Sequence, residues 1–241
     1  MSIEDREVSP LVGILGGMGP AATVDFYSKL IAATPAATDQ QHLRLMIWAD
    51  PTVPDRTRAI TGAGEDPTDS LVHGAQKLKE AGAAFYVVTC NGAHAFMPGV
   101  RDKVDLEYLS IIEVTTEYIA ALPYASSAGL LATDATLTAG LYQRSLESAG
   151  ISPVTPAPPS QQLVMEAIYA VKSGSLTMDQ ERALVSVAEE LVDEGADVIV
   201  AACTEIPLAL SVEESPRPLI DPSMLLANQV VQKAATLTRS T

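Results

Sequence analysis

The sequence predicts an α/β fold of two similar lobes, each a parallel sheet flanked by helices, related by a pseudo-twofold with a site between them. Three observations carry that expectation. Short continuous apolar runs, VGIL, LMIW, FYVV, GLLA and VIVAA, alternate with helical patterns, as strands buried on both faces of a parallel sheet do. GAAFYVVTCN, from Gly82, matches GADVIVAACT, from Gly195, with Gly, Ala and Cys coinciding at one offset. LVGILGGMGPAATVDFYSKL, from Leu11, resembles SAGLLATDATLTAGLYQRSL, from Ser127, at a slightly different offset. The chain therefore reads as a duplicated unit, one copy over residues 10–122 and the other over 127–241.

Taken in order, VGIL is the first strand, and GGMGPAAT turns it into a helix with Pro20 in the first turn. Gly17, Gly19 and Ala22 make a G-x-G-x-x-A pattern, a weak dinucleotide signal. We read it as a loop whose backbone N–H groups hold an anion such as a carboxylate. Its counterpart, ATDATLTAG, has no paired glycines but offers the hydroxyls of Thr133, Thr136 and Thr138. In the helices that follow, Phe26 and Leu30 correspond to Tyr142 and Leu146. LMIW is the second strand, and ADPTVPDRTRAI after it is a proline-punctuated loop carrying Arg56 and Arg58. Either arginine can fork onto a substrate carboxylate or balance Asp50 or Asp55.

Leu71, Val72, Ala75 and Leu78 form one apolar helical face, repeated as Leu184, Val185, Ala188 and Leu191. FYVV and VIVAA are the strands that follow, and each runs into a cysteine, Cys90 or Cys203. These are the only two cysteines in the chain. A lone buried cysteine reads as a small hydrophobe; a matched pair at the carboxyl ends of parallel strands, where ligands bind, points to chemistry. His94 either lowers the Cys90 pKa or caps the next helix. SPVTPAPPS, Ser152 to Ser160, reads as a rigid connection, and Lys172, before Gly174, as solvent-facing.

Composition limits the partners. With 47% apolar and 19% charged residues the chain is globular, not disordered. Thirty acidic residues against fifteen Lys plus Arg give a net charge of −15, which would repel nucleic acid and anionic membranes. The acidic MSIEDREVSP start lacks a signal-peptide pattern and no run is long enough to span a membrane, so a cytoplasmic protein with reduced thiols is expected. There is no CxxC, and the three histidines show no paired ligand spacing, which argues against a metal site.

GGMGPAAT, PDRT, CNGAH, LLATDAT and CTEIPL, in this order and across nearly the whole chain, resemble the cofactor-independent aspartate/glutamate racemase superfamily, in particular its aspartate racemase branch. The resemblance implies a small acidic amino acid as substrate, no pyridoxal phosphate, no metal and a homodimer. It implies that the helices after LSII and LIDP cross to the opposite lobe. The expected division is a first lobe over 1–112, joined by the helix 221–241, and a second over 113–220. Carried over, Cys90 and Cys203 are the catalytic pair, and Arg56 and Lys172 recognise the distal carboxylate. Asn91, Thr133 and Thr204 hold the amino-acid end, and Met18, Gly92 and Glu205 complete the substrate site. Gly92 departs from the family's usual threonine. Readings that keep the fold are a maleate isomerase-like enzyme and a non-catalytic amino-acid-binding homologue; a thiol-redox role ranks third.

Overall fold

The computed structural model describes residues 9–239. Most of the MSIEDREVSP segment, from which the sequence argues against a signal peptide, lies outside the described residues. The first half runs β1 (Leu11–Gly16), α1 (Pro20–Ala33), β2 (Arg44–Ala49), α2 (Arg56–Ile60), α3 (Thr68–Glu80), β3 (Phe85–Val88), α4 (Met97–Arg101), β4 (Tyr108–Leu109) and α5 (Ile111–Ala120). The second runs β5 (Ser127–Leu130), α6 (Asp134–Thr138), α7 (Leu141–Ser148), β6 (Ser152–Val154), α8 (Pro158–Ser173), α9 (Met178–Asp193), β7 (Val198–Val200), β8 (Leu219–Ile220) and α10 (Pro222–Arg239). Each half contributes one four-stranded parallel sheet, ordered β2-β1-β3-β4 and β6-β5-β7-β8. The internal sequence similarity is thus a repeat of topology, and the fold is the expected two-lobed α/β architecture.

The central strands feed two cores at once. Because successive side chains alternate across a strand, Phe85 and Val87 of β3 enter a core shared between the sheets, while Tyr86 and Val88 enter an outer one. In β7, Val198 and Val200 join the shared core and Ile199 the second outer core. The repeated helical face does the same work twice. Leu71, Val72, Ala75 and Leu78 of α3 are buried against the first sheet; Leu184, Ala188 and Leu191 of α9 are buried against the second, with Val185 at the margin. Phe26, Leu30, Tyr142 and Leu146 meet in the shared core, so the interface between the lobes is a true interior. Helix α5 packs on α7 and α10, and α10 packs on α1. Lys29 of α1 ties that packing down through Asp25 of its own helix and Asp221, 2.7 Å away, at the start of α10.

Two local expectations are corrected. LMIW is not buried on both faces: β2 is the edge of its sheet, and its residues are half-buried or exposed. The apolar run covers only one flank because no strand lies beyond it. SPVTPAPPS is not merely a connection, since Ser152–Val154 form the edge strand β6 and Pro158 opens α8. Pro153 is tolerated there because an edge strand can lack a donor on its free side. Among the described residues no helix is long and apolar enough to cross a membrane.

Candidate active site

Cys90 follows β3 and Cys203 follows β7, so the repeat sets the two thiols at equivalent strand ends. Both are buried and unbridged. They line one inner chamber of about 30 Å³ together with Met18, Arg56, Asn91, Gly92, Thr133, Lys172, Thr204 and Glu205. Every site residue carried over from the resemblance therefore reaches the same small space, whereas Arg58 and Thr138, also offered by the sequence, do not line it. Asp55, Thr57, Ala135 and Thr136 also line it. An outer chamber of about 450 Å³ shares Met18, Asp55, Arg56, Lys172 and Glu205 and is floored by the Gly17–Ala21 turn.

On the first-lobe wall the glycine turn is built for close packing. Gly17 has φ +89°, and a Cβ on it would stand 2.4 Å from the Asp50 backbone nitrogen. Its N–H donates inward to Thr23 Oγ1 at 2.9 Å, so this one amide of the turn is already engaged. Gly19 precedes α1, whose first residue is Pro20, as anticipated. Arg56 balances neither Asp50 nor Asp55, which cap Thr52 and Arg58 instead. Its Nη1 donates to the Val53 and Pro54 carbonyls at 3.0 and 2.9 Å, and Nη2 makes one long bond, 3.4 Å, to Met18 O. Nε is buried without a partner, so the Nε–Nη2 edge is the side of the fork with capacity left.

His94 turns away from the Cys90 sulfur. Its Nδ1 meets the Cys90 carbonyl at 3.0 Å and its Nε2 accepts from Ile111 N at 3.4 Å, a pairing that requires the neutral ring. Burial pulls its pKa down to about 4, against smaller opposing contributions from backbone bonds. The ring ties the cysteine loop to the start of α5.

On the second-lobe wall, Thr133 caps α6 by accepting from Thr136 N at 3.2 Å. Gln161 of α8 steadies that loop by donating to Ala132 O and Asp134 Oδ1. The Cys203 thiol donates to Glu205 Oε2 at 3.0 Å. Burial pushes this thiol well up, the Glu205 charge adds to the rise, and Lys172 opposes it. Lys172 is not simply solvent-facing: about a third of its side chain is exposed (34%), and its ammonium lies 3.9 Å from Glu205 Oε1. Burial lowers its pKa, but Glu205 and the two cysteines outweigh that and hold it above the usual value.

An Asp/Glu/Hydantoin racemase family profile matches residues 15–230. The chain belongs to the Asp/Glu/Hydantoin racemase family. Among its relatives is the "Broad specificity amino-acid racemase RacX" of Bacillus subtilis, 31% identical over 226 residues, which cover 92% of this chain and 96% of the relative. The structure of an aspartate racemase from Picrophilus torridus superposes with a TM-score of 0.80 at 31% identity, covering 94% of each chain. Glutamate racemase RacE1 of Bacillus anthracis shares the fold at a TM-score of 0.69 and 15% identity, over 96% of this chain and 84% of that one. As a member of a racemase family, the chain is an isomerase.

In this racemase-family site three buried polar atoms have no hydrogen-bond partner: Arg56 Nε, Asn91 Nδ2 and Glu205 Oε1. Two are donors and one is an acceptor, the complement of a ligand carrying carboxylate and ammonium groups. One neighbour escaped the sequence reading as a polar group. Tyr142, noted there only as the aromatic matching Phe26, donates to Asn91 Oδ1 at 2.7 Å. The available signal was the hydroxyl that distinguishes it from Phe26.

Proposed function

We propose that the enzyme interconverts L- and D-aspartate or glutamate without pyridoxal phosphate or a metal, with Cys90 and Cys203 as the two acid/base groups. The observation that carries this reading is the meeting of two unbridged thiols, from matched strand ends, in one small chamber. Racemisation takes a proton from one face of Cα and returns one to the other. With Cys203 held as a thiol by Glu205, Cys90 as thiolate removes the α-proton and the C–H electron pair shifts into the α-carboxylate. Cys203 S–H then protonates the opposite face, leaving Cys90 as thiol and Cys203 as thiolate. The reverse assignment serves the other enantiomer.

Charge developing on the α-carboxylate is met by Asn91 Nδ2 and the Thr133 hydroxyl, joined by the Thr204 hydroxyl when it exchanges its 3.3 Å bond to Glu205 Oε2 for the substrate. Glu205 Oε1 accepts from the α-ammonium. The Nε–Nη2 edge of Arg56 and the Lys172 ammonium receive the distal carboxylate, while Met18 and Gly92 shape the walls. Similarity to the aspartate racemase of Picrophilus torridus supports the acidic substrate. The outer chamber favours a second, wider reading, in which longer side chains extend past Arg56 and Lys172, in keeping with the broad-specificity relative. A homodimer belongs to the proposal and is checked by sedimentation.

The deciding experiment follows α-hydrogen exchange by proton NMR in deuterated buffer with both enantiomers of aspartate and glutamate. Wild type should exchange with inversion, and Cys90→Ala and Cys203→Ala should abolish inversion. Inversion surviving in either variant would sink the two-thiol mechanism. A further panel of neutral and basic amino acids tests the wider substrate range.

A further inference from the structure

We propose that Tyr142 is a positioning residue for this reaction: its phenol, reaching from the second lobe, fixes the Asn91 carboxamide of the first so that Nδ2 is the group Asn91 offers to substrate. The inference rests on the racemase reading above and adds a residue that does not itself line the chamber.

The geometry carries it in three steps. Tyr142 is fully buried on α7, within the core shared by the lobes, and Asn91 is 3% exposed. The 2.7 Å bond from the phenol O–H occupies Asn91 Oδ1. A carboxamide has one acceptor end and one donor end, so pinning Oδ1 toward α7 decides where the donor goes. Nδ2 is left buried with no protein partner. Such a donor is costly unless something else accepts from it, which marks it as the point of ligand contact.

Packing alone does not call for the hydroxyl. Phe26 fills the corresponding place in the first copy and is equally buried, 1% exposed. A buried phenol left unpaired is a liability, and the Tyr142 hydroxyl meets that need through Asn91 Oδ1, with the Thr115 side chain as a second neighbour. Burial also pushes the phenol far up, which keeps it an O–H donor across the range in which thiols titrate. Gly92 raises the importance of the arrangement, because that residue brings no side-chain donor beside Asn91. The bond crosses the lobes, so Asn91 is oriented only when the two halves are docked.

The test is a double-mutant cycle of Tyr142→Phe and Asn91→Ala, read as kcat/KM for α-hydrogen exchange. Tyr142→Phe should lose about tenfold in the wild-type background, the size of one hydrogen bond. It should lose nothing further in the Asn91→Ala background. Equal losses in both backgrounds, or none in the first, would overturn the proposal. Should wild type invert none of the amino acids offered, the racemase reading fails by itself, and the Asn91 side-chain NH₂ group still decides the positioning. Its ¹H–¹⁵N heteronuclear NOE should report an ordered group in wild type and a mobile one in Tyr142→Phe; equal order in both overturns the assignment.

Discussion

Glu205 Oε2 accepts from the Cys203 thiol at 3.0 Å, while the other oxygen of the same buried carboxylate has no hydrogen bond and lies 3.9 Å from the Lys172 ammonium. The repeat shows why this matters. At the offset that aligns the two cysteines, the counterpart of Glu205 is Gly92. The duplicated unit therefore sets two thiols at equivalent strand ends and then makes their surroundings unequal. Burial first, and then the neighbouring Glu205 carboxylate, disfavour anionic sulfur at Cys203 and raise its pKa.

Glu205→Gln tests that inequality. The substitution keeps an acceptor for the thiol and removes the charge. Under the two-thiol mechanism proposed above, the Cys203 pKa should fall toward its ordinary value, and the alkaline limb of the expected bell-shaped kcat/KM profile should move to lower pH by about one unit. Exchange rates measured across the alkaline range check this. A limb that stays in place would uncouple Glu205 from Cys203.

His94 makes folding stability sensitive to acid. Its folded pKa of about 4 lies below the ordinary histidine value of 6.5. The neutral ring is what the native contacts with Cys90 O and Ile111 N require, so its contribution is complete above pH 6.5. It is lost as pH falls through the interval down to about 4, and the whole effect is about 3 kcal/mol. Urea unfolding at stepped pH should show a shallower acid decline for His94→Gln than for wild type. Parallel declines would assign the acid sensitivity to other groups.

The GGMGP turn yields a stability prediction in place of a cofactor one. Gly17→Ala must adopt φ near +89° and bring a methyl group against the Asp50 backbone. Strain and clash together should cost about 3 kcal/mol. Thermal unfolding reads this directly, and a variant as stable as wild type would remove close packing as the reason for the glycine.

The parts of the fold and site that could be read in the sequence are those that repeat or that local chemistry settles. The FYVV and VIVAA strands, the α3 and α9 faces and the cysteine positions appear twice, so each copy supports the other. Strand order was hidden, and with it the edge position of β2, because LMIW is as apolar as a central strand. Lys172 at the end of α8 looks like an ordinary surface lysine until the second lobe brings Glu205 beneath it. The Tyr142–Asn91 bond spans 51 residues and both lobes, and exists only through their docking. No spacing rule within one lobe can register it.

Gly92→Thr asks what the departure at that position changes. A Cβ there would stand 3.7 Å from Arg56 Cβ and 3.8 Å from Thr136 Oγ1, ordinary contacts with no positive φ to oppose them. Backbone strain therefore adds nothing, and the cost of fitting the hydroxyl and methyl should be about 1 kcal/mol. Gly92 lines the small inner chamber, so an added hydroxyl and methyl narrow it. Substrates whose side chains crowd the Gly92 wall should lose more than aspartate does. We expect the kcat/KM ratio of aspartate to longer amino acids to rise about tenfold, the scale of a methylene misfit in a closed pocket. Exchange rates over a graded series of side-chain lengths provide the measurement. A ratio unchanged from wild type would show that longer substrates avoid this wall, and would shift the specificity question to Arg56 and Lys172.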